Sequence, residues 1–257
     1  MTVKIAVAGS KGRMGQLIME EIRKFEDLEL VAGFDLLGVG DPLDGGVSVS
    51  DSSDLADVLQ KSGAQVLIDF TTPIATVENV RVAANLGVNL VVGTTGFSED
   101  QKKEMARAIE GRVAAVISPN FSVGVNLFWK LIEVAARSLE GYDIEVIEAH
   151  HRNKMDAPSG TAAEAVKVLA KATGRIEVVY GREGRGLRGD EIGVHAVRAG
   201  DIVGDHTVLF AGPGERLEIK HQAHSRQAFA SGAVRSARWV TGIPNGIYAM
   251  ADVLDQK

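Results

Sequence analysis

The chain has 257 residues, a formal net charge of −6 and no cysteine. Its length allows one large domain or two smaller ones, and the lack of cysteine excludes disulfide bonds, thiolate metal ligands and a cysteine nucleophile. The acidic balance and the 5% aromatic content disfavour a nucleic-acid partner. The N-terminal apolar run is too short for a signal peptide, and no apolar run has the roughly 18 residues of a membrane span, so we expect a cytoplasmic protein with no membrane partner.

The first half of the sequence alternates between short apolar runs typical of strands and segments whose apolar residues recur at helical spacing. The predicted strands are residues 3–9, 28–35, 64–70, 89–95 and 114–120. The predicted helices are residues 14–25, 51–60, 74–86 and 98–109, the last starting with a capping box of Ser98 and Gln101. Parallel strands need covering crossover helices. We therefore predict an α/β domain with a Rossmann-like, doubly wound parallel sheet, which binds ligands at the carboxyl ends of its strands.

The pattern changes after a predicted helix at residues 125–139. A strand at 142–151 and a helix at 159–173, ended by Gly174, precede three segments with glycine-bearing turns, at 191–200, 205–212 and 215–223. These three are typical of antiparallel strands. The segment from Ser231 onward returns to helical spacing, and we expect it to pack on the first domain. The sequence thus predicts one domain at 1–121, completed by 231–257, and a smaller α+β domain at 122–230.

A glycine triplet lies between the first predicted strand and the first predicted helix. Gly9, Gly12 and Gly15 in "GSKGRMG" depart from the usual G-x-G-x-x-G pattern at Lys11. By itself the triplet is also compatible with an ordinary tight turn. Asp35, 20 residues after Gly15 at the end of the second strand, favours a dinucleotide site because an acidic residue there accepts hydrogen bonds from the adenosine ribose.

Asp35 also indicates which nicotinamide cofactor the site prefers. Its negative charge repels a 2′-phosphate, and the following residue, Leu36, offers no cation to bind one. Lys11 or Arg13 could turn toward a phosphate and weaken this preference. We therefore predict NADH as the favoured cofactor, with NADPH as the alternative.

Residues 148–161 read "EAHHRNKMDAPSGT" and place His150 and His151 four and three residues before Lys154. Two structural histidines are one interpretation of this segment. A metal site is another, but adjacent strand residues point to opposite faces and no carboxylate pattern completes a ligand set. The third is a site that binds a dianionic substrate and transfers a proton, because histidine titrates near neutrality and a lysine ammonium donates a proton while attracting negative charge. We favour the third interpretation and predict no bound metal.

The "PSGT" end of the same segment is a predicted helix start. An ordinary helix cap is the simplest interpretation of Ser159, Gly160 and Thr161. Next to a cationic loop, however, the backbone N–H groups and two hydroxyls of a helix N-terminus favour a carboxylate ligand. An anion site beside a dinucleotide site indicates a hydride-transfer enzyme, in which the cofactor supplies the hydride and the protein supplies orientation and a proton.

Several segments, spread over nearly the whole chain, carry a family resemblance. They are "GSKGRMG", "DFTTP", "VVGTTGF", "PNFSVGVN", "EAHHRNKMDAPSGTA", "VRAGDIVGDHTVLFAGPGERLEIKH" and "FASGAVRSARW". Together they resemble the 4-hydroxy-tetrahydrodipicolinate reductases, or dihydrodipicolinate reductases, of bacterial and plant lysine biosynthesis, and the histidine–lysine segment is the most specific part. The resemblance implies NAD(P)H-dependent reduction of a cyclic dicarboxylate, 4-hydroxy-tetrahydrodipicolinate, to tetrahydrodipicolinate with loss of water, on the route to diaminopimelate and lysine.

The resemblance also implies an organisation and a set of residue roles. Residues 1–121 with 231–257 bind the dinucleotide, and 122–230 bind the substrate and assemble a homotetramer. His150 is then a proton donor and acceptor and Lys154 a proton donor. The substrate carboxylates are held by His151, Ser159, Gly160 and Thr161. The implied cofactor-binding residues are Gly9, Ser10, Lys11, Gly12, Arg13, Met14, Asp35, Gly93, Thr94, Thr95, Ser118, Pro119, Asn120 and Phe121.

Two departures from the family pattern concern the cofactor. Members that favour NADPH often carry arginine where this chain has Leu36, and some carry arginine where it has Thr72. Two other functions stay open at this point: an inactive dinucleotide-binding sensor and a related oxidoreductase acting on another small acid. A sensor would be expected to lack His150, Lys154 or the helix cap, and this chain has all of them.

Overall fold

The computed structural model describes residues 2–255. The chain divides into two compact units, one formed by Met1–Val123 and Gln227–Lys257 and the other by Gly124–Arg226. The strands of the described residues are β1 Val3–Ala8, β2 Leu28–Asp35, β3 Val49–Asp51, β4 Val66–Asp69, β5 Asn89–Val92, β6 Ala114–Ile117, β7 Asp143–His150, β8 Val178–Tyr180, β9 Ile192–Arg198, β10 Gly204–Gly212, β11 Glu215–Ala223 and β12 Gly246–Tyr248. The α-helices are α1 Arg13–Ile22, α2 Leu55–Ser62, α3 Pro73–Asn85, α4 Glu99–Ile109, α5 Val123–Ser138, α6 Gly160–Thr173, α7 Gln227–Val240 and α8 Met250–Leu254.

The first unit is built on a seven-stranded sheet in the order β12-β6-β5-β4-β1-β2-β3. All of its strand pairs are parallel. The chain leaves β1 in one direction to β2 and β3 and later continues on the other side through β4, so the strand order reverses between β1 and β4. This confirms the predicted Rossmann-like fold and puts its switch point, where such sheets bind ligands, between the loops that follow β1 and β4.

Helices cover both faces of this sheet because successive strand side chains point to opposite sides. Ile5 and Val7 of β1 pack in one core with residues of α1 and α7, such as Ile18 and Val234. The alternate β1 residues, Ala6 and Ala8, lie in a second core with residues of α2, α3 and α4. The last part of the chain belongs to this unit, since β12 pairs with β6 at the sheet edge.

The second unit contains a five-stranded mixed sheet in the order β11-β10-β7-β9-β8. β10 is antiparallel to both β7 and β11, whereas β9 is parallel to β7 and β8. The helices α5 and α6 pack on one face, where Ile132 and Leu169 contact a core that includes Val146, Val208 and Phe210. The even-numbered residues of β7 are buried in a regular alternation, so Glu148 and His150 share the buried face.

The structure corrects two predictions about local elements. The segment at 191–200 was expected to be antiparallel, but β9 runs parallel to β7 and β8, because the connection at residues 181–191 returns the chain to the end of the sheet where β8 starts. The helix expected at 51–60 starts only at Leu55. Asp51 instead ends β3, paired with Asp35, and its carboxylate accepts a hydrogen bond from the Ser53 N–H. Such local capping competes with a helix.

Candidate active site

The glycine loop after β1 makes close backbone contacts that exclude larger side chains. Gly9 has a φ of +81°, and a Cβ added there would lie 2.7 Å from the carbonyl oxygen of Phe70, which follows β4. A Cβ at Gly15 would lie 2.1 Å from the Gly9 carbonyl oxygen, so helix α1 can approach the loop only with glycine at this position. The loop therefore holds the start of α1 directly against the switch point of the sheet.

The N-terminus of α1 fits an anionic ligand. Gly12 is its N-cap, and no side chain among residues 2–255 caps the first turn, which also contains no acidic residue. The leading N–H groups of a helix attract phosphate when nothing else satisfies them. Arg13 is exposed and Met14 partly buried beside this turn. The start of α1 is therefore suited to a phosphate group.

Asp35 lies against the same loop. Its two carboxylate oxygens accept hydrogen bonds from the Lys11 N–H at 2.9 Å and the Leu37 N–H at 3.1 Å. Each oxygen keeps further acceptor capacity, so the carboxylate can still receive ribose hydroxyls. The Lys11 ammonium lies 2.7 Å from a carboxylate oxygen of Asp41, and Leu36 is 80% exposed. Ser10 is buried beneath the loop and bonds the Phe34 carbonyl through both its N–H and its hydroxyl.

A buried carboxylate organises the loops after β4 and β5. Asp69 is fully buried and accepts hydrogen bonds from the hydroxyls of Thr71, Thr76 and Thr94, and from the Asn79 amide at 2.7 Å. Thr94 is thereby fixed. The other two residues predicted with it lie close by: Gly93 sits against the Phe70 ring, and Thr95 is exposed.

The loop after β6 brings together the last predicted cofactor residues. Ser118 is buried and its hydroxyl donates to the Asn120 carbonyl at 2.9 Å, while Pro119 is exposed. The Phe121 side chain is buried, and its ring lies 5.8 Å from that of Phe70, centroid to centroid. The side chain of Phe121 thus belongs to the core beneath the loop.

In the second unit, Glu148 lies at the centre of a buried polar cluster. The Nδ1 atom of His150 lies 2.6 Å from Oε2 of Glu148, and the Ser159 N–H donates to Oε1 at 3.0 Å. Arg198 donates to both oxygens, at 2.7 and 2.8 Å. Burial alone would raise the pKa of Glu148, but the hydrogen bonds from His150, Arg198 and the Ser159 backbone outweigh it and lower the pKa from 4.5 to about 2. The carboxylate is therefore ionised at neutral pH.

The ionised Glu148 determines how His150 presents its ring. A carboxylate without a proton only accepts, so Nδ1 of His150 must carry the hydrogen and Nε2 is the atom left for proton transfer. Gly204 lies next to Nε2 of His150, since a Cβ added at this glycine would be 3.0 Å from that atom. Glycine at 204 keeps this atom accessible.

A second histidine lies edge-on to the first. The rings of His150 and His206 are 5.1 Å apart, centroid to centroid, at 72°. Burial, together with the charge of His150, lowers the pKa of His206 to about 3, so His206 is neutral at physiological pH. Its Nε2 lies 3.0 Å from the hydroxyl of Ser159. His206 thus ties strand β10 to the start of α6.

The predicted substrate residues lie at the end of β7 and the start of α6. Ser159 caps α6, its hydroxyl accepting from the Ala162 N–H at 3.2 Å. Gly160 is exposed, and a Cβ there would meet nothing within 4 Å. Thr161 and His151 are partly exposed. The helix start is thus open on the side where a carboxylate could approach.

Lys154 belongs to the loop between β7 and α6. Its ammonium lies 2.8 Å from a carboxylate oxygen of Asp156. Burial acts to raise the pKa of Asp156, but the hydrogen bond and charge of Lys154 lower it. Arg198 also donates to the Asp156 carbonyl at 2.6 Å, so one arginine connects this loop with Glu148 and hence with His150.

Sequence reasoning missed Glu148, Arg198, Gly204 and His206. The spacing of Glu148 and His150 could have identified the first, since residues i and i+2 of a strand share a face. The others come from strands far away in sequence. Arg198 is the partner of His150 in the β7–β9 register, and His206 is the partner of Glu148 in the β7–β10 register.

Within the described part of the chain, no group of three or more His, Cys, Asp and Glu side chains is arranged to hold a metal ion. None of the helices that the structure describes is long and apolar enough to cross a membrane.

Two family models match the chain. One, described as "Dihydrodipicolinate reductase, N-terminus", matches residues 3–121, and the other, "Dihydrodipicolinate reductase, C-terminus", matches residues 124–254. The chain is 55% identical over 260 residues to a 4-hydroxy-tetrahydrodipicolinate reductase of Methanosarcina barkeri, covering 98% of this chain and 99% of the relative. It is 51% identical to that of Methanothermobacter thermautotrophicus, with 98% of each chain covered.

Solved structures agree with these matches. A dipicolinate-bound dihydrodipicolinate reductase from Paenisporosarcina sp. TG-14 superimposes with a TM-score of 0.84 at 30% identity, covering 98% of this chain and 99% of that one. An amine dehydrogenase from Mycobacterium smegmatis gives a TM-score of 0.63 at 15% identity, with coverage of 98% and 96%. The second likeness concerns the fold alone.

Proposed function

Because the chain belongs to the dihydrodipicolinate reductase family, we propose that it catalyses the NAD(P)H-dependent reduction of 4-hydroxy-tetrahydrodipicolinate to tetrahydrodipicolinate. This reaction belongs to diaminopimelate and lysine biosynthesis. The observation that carries the proposal is the cluster at the end of β7, where His150, held by Glu148, lies beside the start of α6. Lys154 lies on the loop between them.

In the second unit the substrate carboxylates are bound by His151 and by the start of α6. Gly160 and Thr161 provide the first backbone N–H groups of this helix, where negative charge is stabilised. Ser159 contributes by holding the turn, since its own hydroxyl caps Ala162. An open Gly160 lets a carboxylate come within hydrogen-bond distance of the backbone.

Proton transfer is assigned to His150 and Lys154. His150 presents Nε2, the ring atom that Glu148 leaves unbound. Lys154 is only 21% exposed at its side chain and is oriented by Asp156, so its ammonium is positioned to donate a proton to a bound anion. A bound nicotinamide cofactor supplies the hydride.

The cofactor site in the first unit consists of Asp35 and the loops after β1, β5 and β6, and NADH is the favoured cofactor. Asp35 is supported by the Lys11 and Leu37 N–H groups as a ribose acceptor. The Lys11 ammonium, which could have bound a 2′-phosphate, is paired with Asp41, and Leu36 provides no charge. Both features act against NADPH.

The domain roles and the assembly follow the same proposal. Residues 1–121 with 231–257 are the dinucleotide-binding domain, and 122–230 are the substrate-binding and tetramerisation domain of a cytoplasmic homotetramer. Support for an interface comes from β11, an edge strand of nine residues whose side chains are mostly exposed, Leu217 among them. Light scattering on the purified protein measures the assembly directly.

The function is tested by turnover of the product of the preceding synthase, followed at the nicotinamide absorbance with NADH and with NADPH. Lys154→Ala should lower kcat by about 100-fold or more, because a positioned proton donor contributes roughly 10²- to 10⁴-fold, and should leave NADH binding unchanged. Lys167→Ala is the matched control, an exposed lysine on α6 paired with Glu164. Full turnover by Lys154→Ala would remove Lys154 from the mechanism, and no turnover by the unsubstituted protein would refute the function.

A further inference from the structure

The buried pair of Glu148 and Arg198 lies outside the residues to which substrate or cofactor binding is assigned above. Glu148 is fully buried, and both of its carboxylate oxygens accept hydrogen bonds. Oε2 accepts from His150 and Arg198, and Oε1 accepts from Arg198 and the Ser159 N–H. Arg198 also donates a hydrogen bond to the Asp156 carbonyl. One ion pair therefore contacts the histidine, the helix cap and the lysine loop at once.

We propose that Glu148 and Arg198 are positioning residues that set the protonation behaviour of His150 and hold it in register with the start of α6. The proposal rests on the proposed function for its catalytic consequence. The coupling of Arg198 to His150 through Glu148 rests on geometry alone, because His150 and Arg198 donate to the same oxygen of Glu148.

The two members of the pair act on His150 with opposite sign. The carboxylate of Glu148 places a negative charge at Nδ1 of His150, and the guanidinium of Arg198 places a positive charge at the same carboxylate oxygen. Glu148 on β7 and Arg198 on β9 meet at the carboxylate oxygen that Nδ1 of His150 contacts, and His206 on β10 lies edge-on to the ring. His206 adds no charge at neutral pH, since burial keeps it unprotonated. His150 is therefore governed by a carboxylate that a guanidinium partly neutralises.

A comparable cluster on the other face of the same strand provides the control. Glu145 also contacts a histidine and an arginine, with Nε2 of His195 at 2.8 Å and Nε of Arg188 at 3.1 Å. It is an odd-numbered residue of β7, so it points away from Glu148. Glu145→Gln thus removes the same chemical group from the same strand without touching His150.

The experiment follows the His150 ring by NMR as a function of pH, with the signal identified by its loss in His150→Gln. Glu148→Gln should lower the titration midpoint of His150 by about one pH unit or more, as removal of an adjacent opposite charge does. Arg198→Gln should raise the midpoint, and Glu145→Gln should leave it in place. General loosening of the unit would not produce shifts of opposite sign.

Turnover supplies the second measurement. Glu148→Gln should lower kcat by about 10- to 100-fold, the range found for carboxylates that orient the histidine ligands of metal enzymes. It should also move the limb of the pH profile that reports His150 and leave the KM for NADH unchanged. A kcat loss without any movement of the profile would overturn the proposal, as would midpoint shifts of equal sign in the two variants.

The two measurements also separate this proposal from the proposed function. The titration of His150 needs no substrate. If the unsubstituted protein fails to reduce the substrate, the proposed function is refuted, and NMR still decides whether Glu148 and Arg198 act on His150. If Glu148→Gln does not fold, the test relies on Arg198→Gln. An unchanged titration midpoint of His150 in that variant would overturn the proposal.

Discussion

Replacing Glu148 by Gln is expected to remove a pH-dependent part of the stability of the second unit. The folded protein holds the pKa of this carboxyl at about 2, below its ordinary value of 4.5. A depressed pKa means that the folded state stabilises the ionised form. The contribution is therefore fully present above about pH 4.5 and is lost as the pH falls toward the folded pKa.

The size of the effect follows from the two pKa values. Their difference, at about 1.4 kcal/mol per pH unit, corresponds to about 3 kcal/mol. Integration of the linkage relation puts the loss between pH 6 and pH 3 at about 2 kcal/mol. Because Glu148 is fully buried, solvent does not screen this interaction as it screens surface pairs.

The assay is urea unfolding at several pH values between 6 and 3. The chain has two tryptophans, one in each unit. In a Trp239→Phe background, Trp129 on α5 reports the second unit, where its Nε1 donates to the Thr161 carbonyl at 3.2 Å. Wild-type stability should fall by about 2 kcal/mol more than that of Glu148→Gln over this range. Glu145→Gln, the control from the same strand, should retain the Glu148 contribution. Parallel loss of stability in the wild type and in Glu148→Gln would refute the reasoning.

Two predictions concern the first unit. Leu36→Arg places a cation beside the ribose site. The ratio of kcat/KM for NADPH to that for NADH should rise by about tenfold, because one charged hydrogen bond contributes about 1.5 kcal/mol or more. An unchanged ratio would show that residue 36 does not contact the adenosine ribose. Asp69→Asn replaces an acceptor of several buried hydrogen bonds with a group that must also donate. It should cost about 2 kcal/mol in unfolding followed by Trp239 fluorescence in a Trp129→Phe background, and it should weaken NADH binding in a titration. Full NADH affinity in that variant would mean that the Thr94 loop does not depend on Asp69.

Local sequence patterns predicted most of the first unit. Short apolar runs gave the strands β1, β2, β4, β5 and β6, and the alternation with helices gave their parallel direction, because neighbouring parallel strands require a crossover. The short strands β3, β8 and β12 were not foreseen. Three residues carry too little periodicity to be recognised, and each of these strands exists because a longer strand beside it offers hydrogen-bonding partners.

The sequence also identified the family resemblance, which the two matching models and the relatives confirm. It located the glycine loop, Asp35 and the histidine–lysine segment, because these residues lie close together in the chain or at a recognised spacing. Their individual roles stay predictions.

The tertiary structure decided what surrounds those residues. The register of β9 and β10 against β7 brings Arg198 and His206 beside Glu148 and His150. In the sequence, Arg198 lies 50 residues after Glu148, and His206 lies 58 residues after it. No local pattern carries that register, since a strand's period indicates which face a residue occupies and not which residue lies across from it. The charge that acts on His150 is therefore a property of the sheet. The histidine itself could be found from the sequence alone.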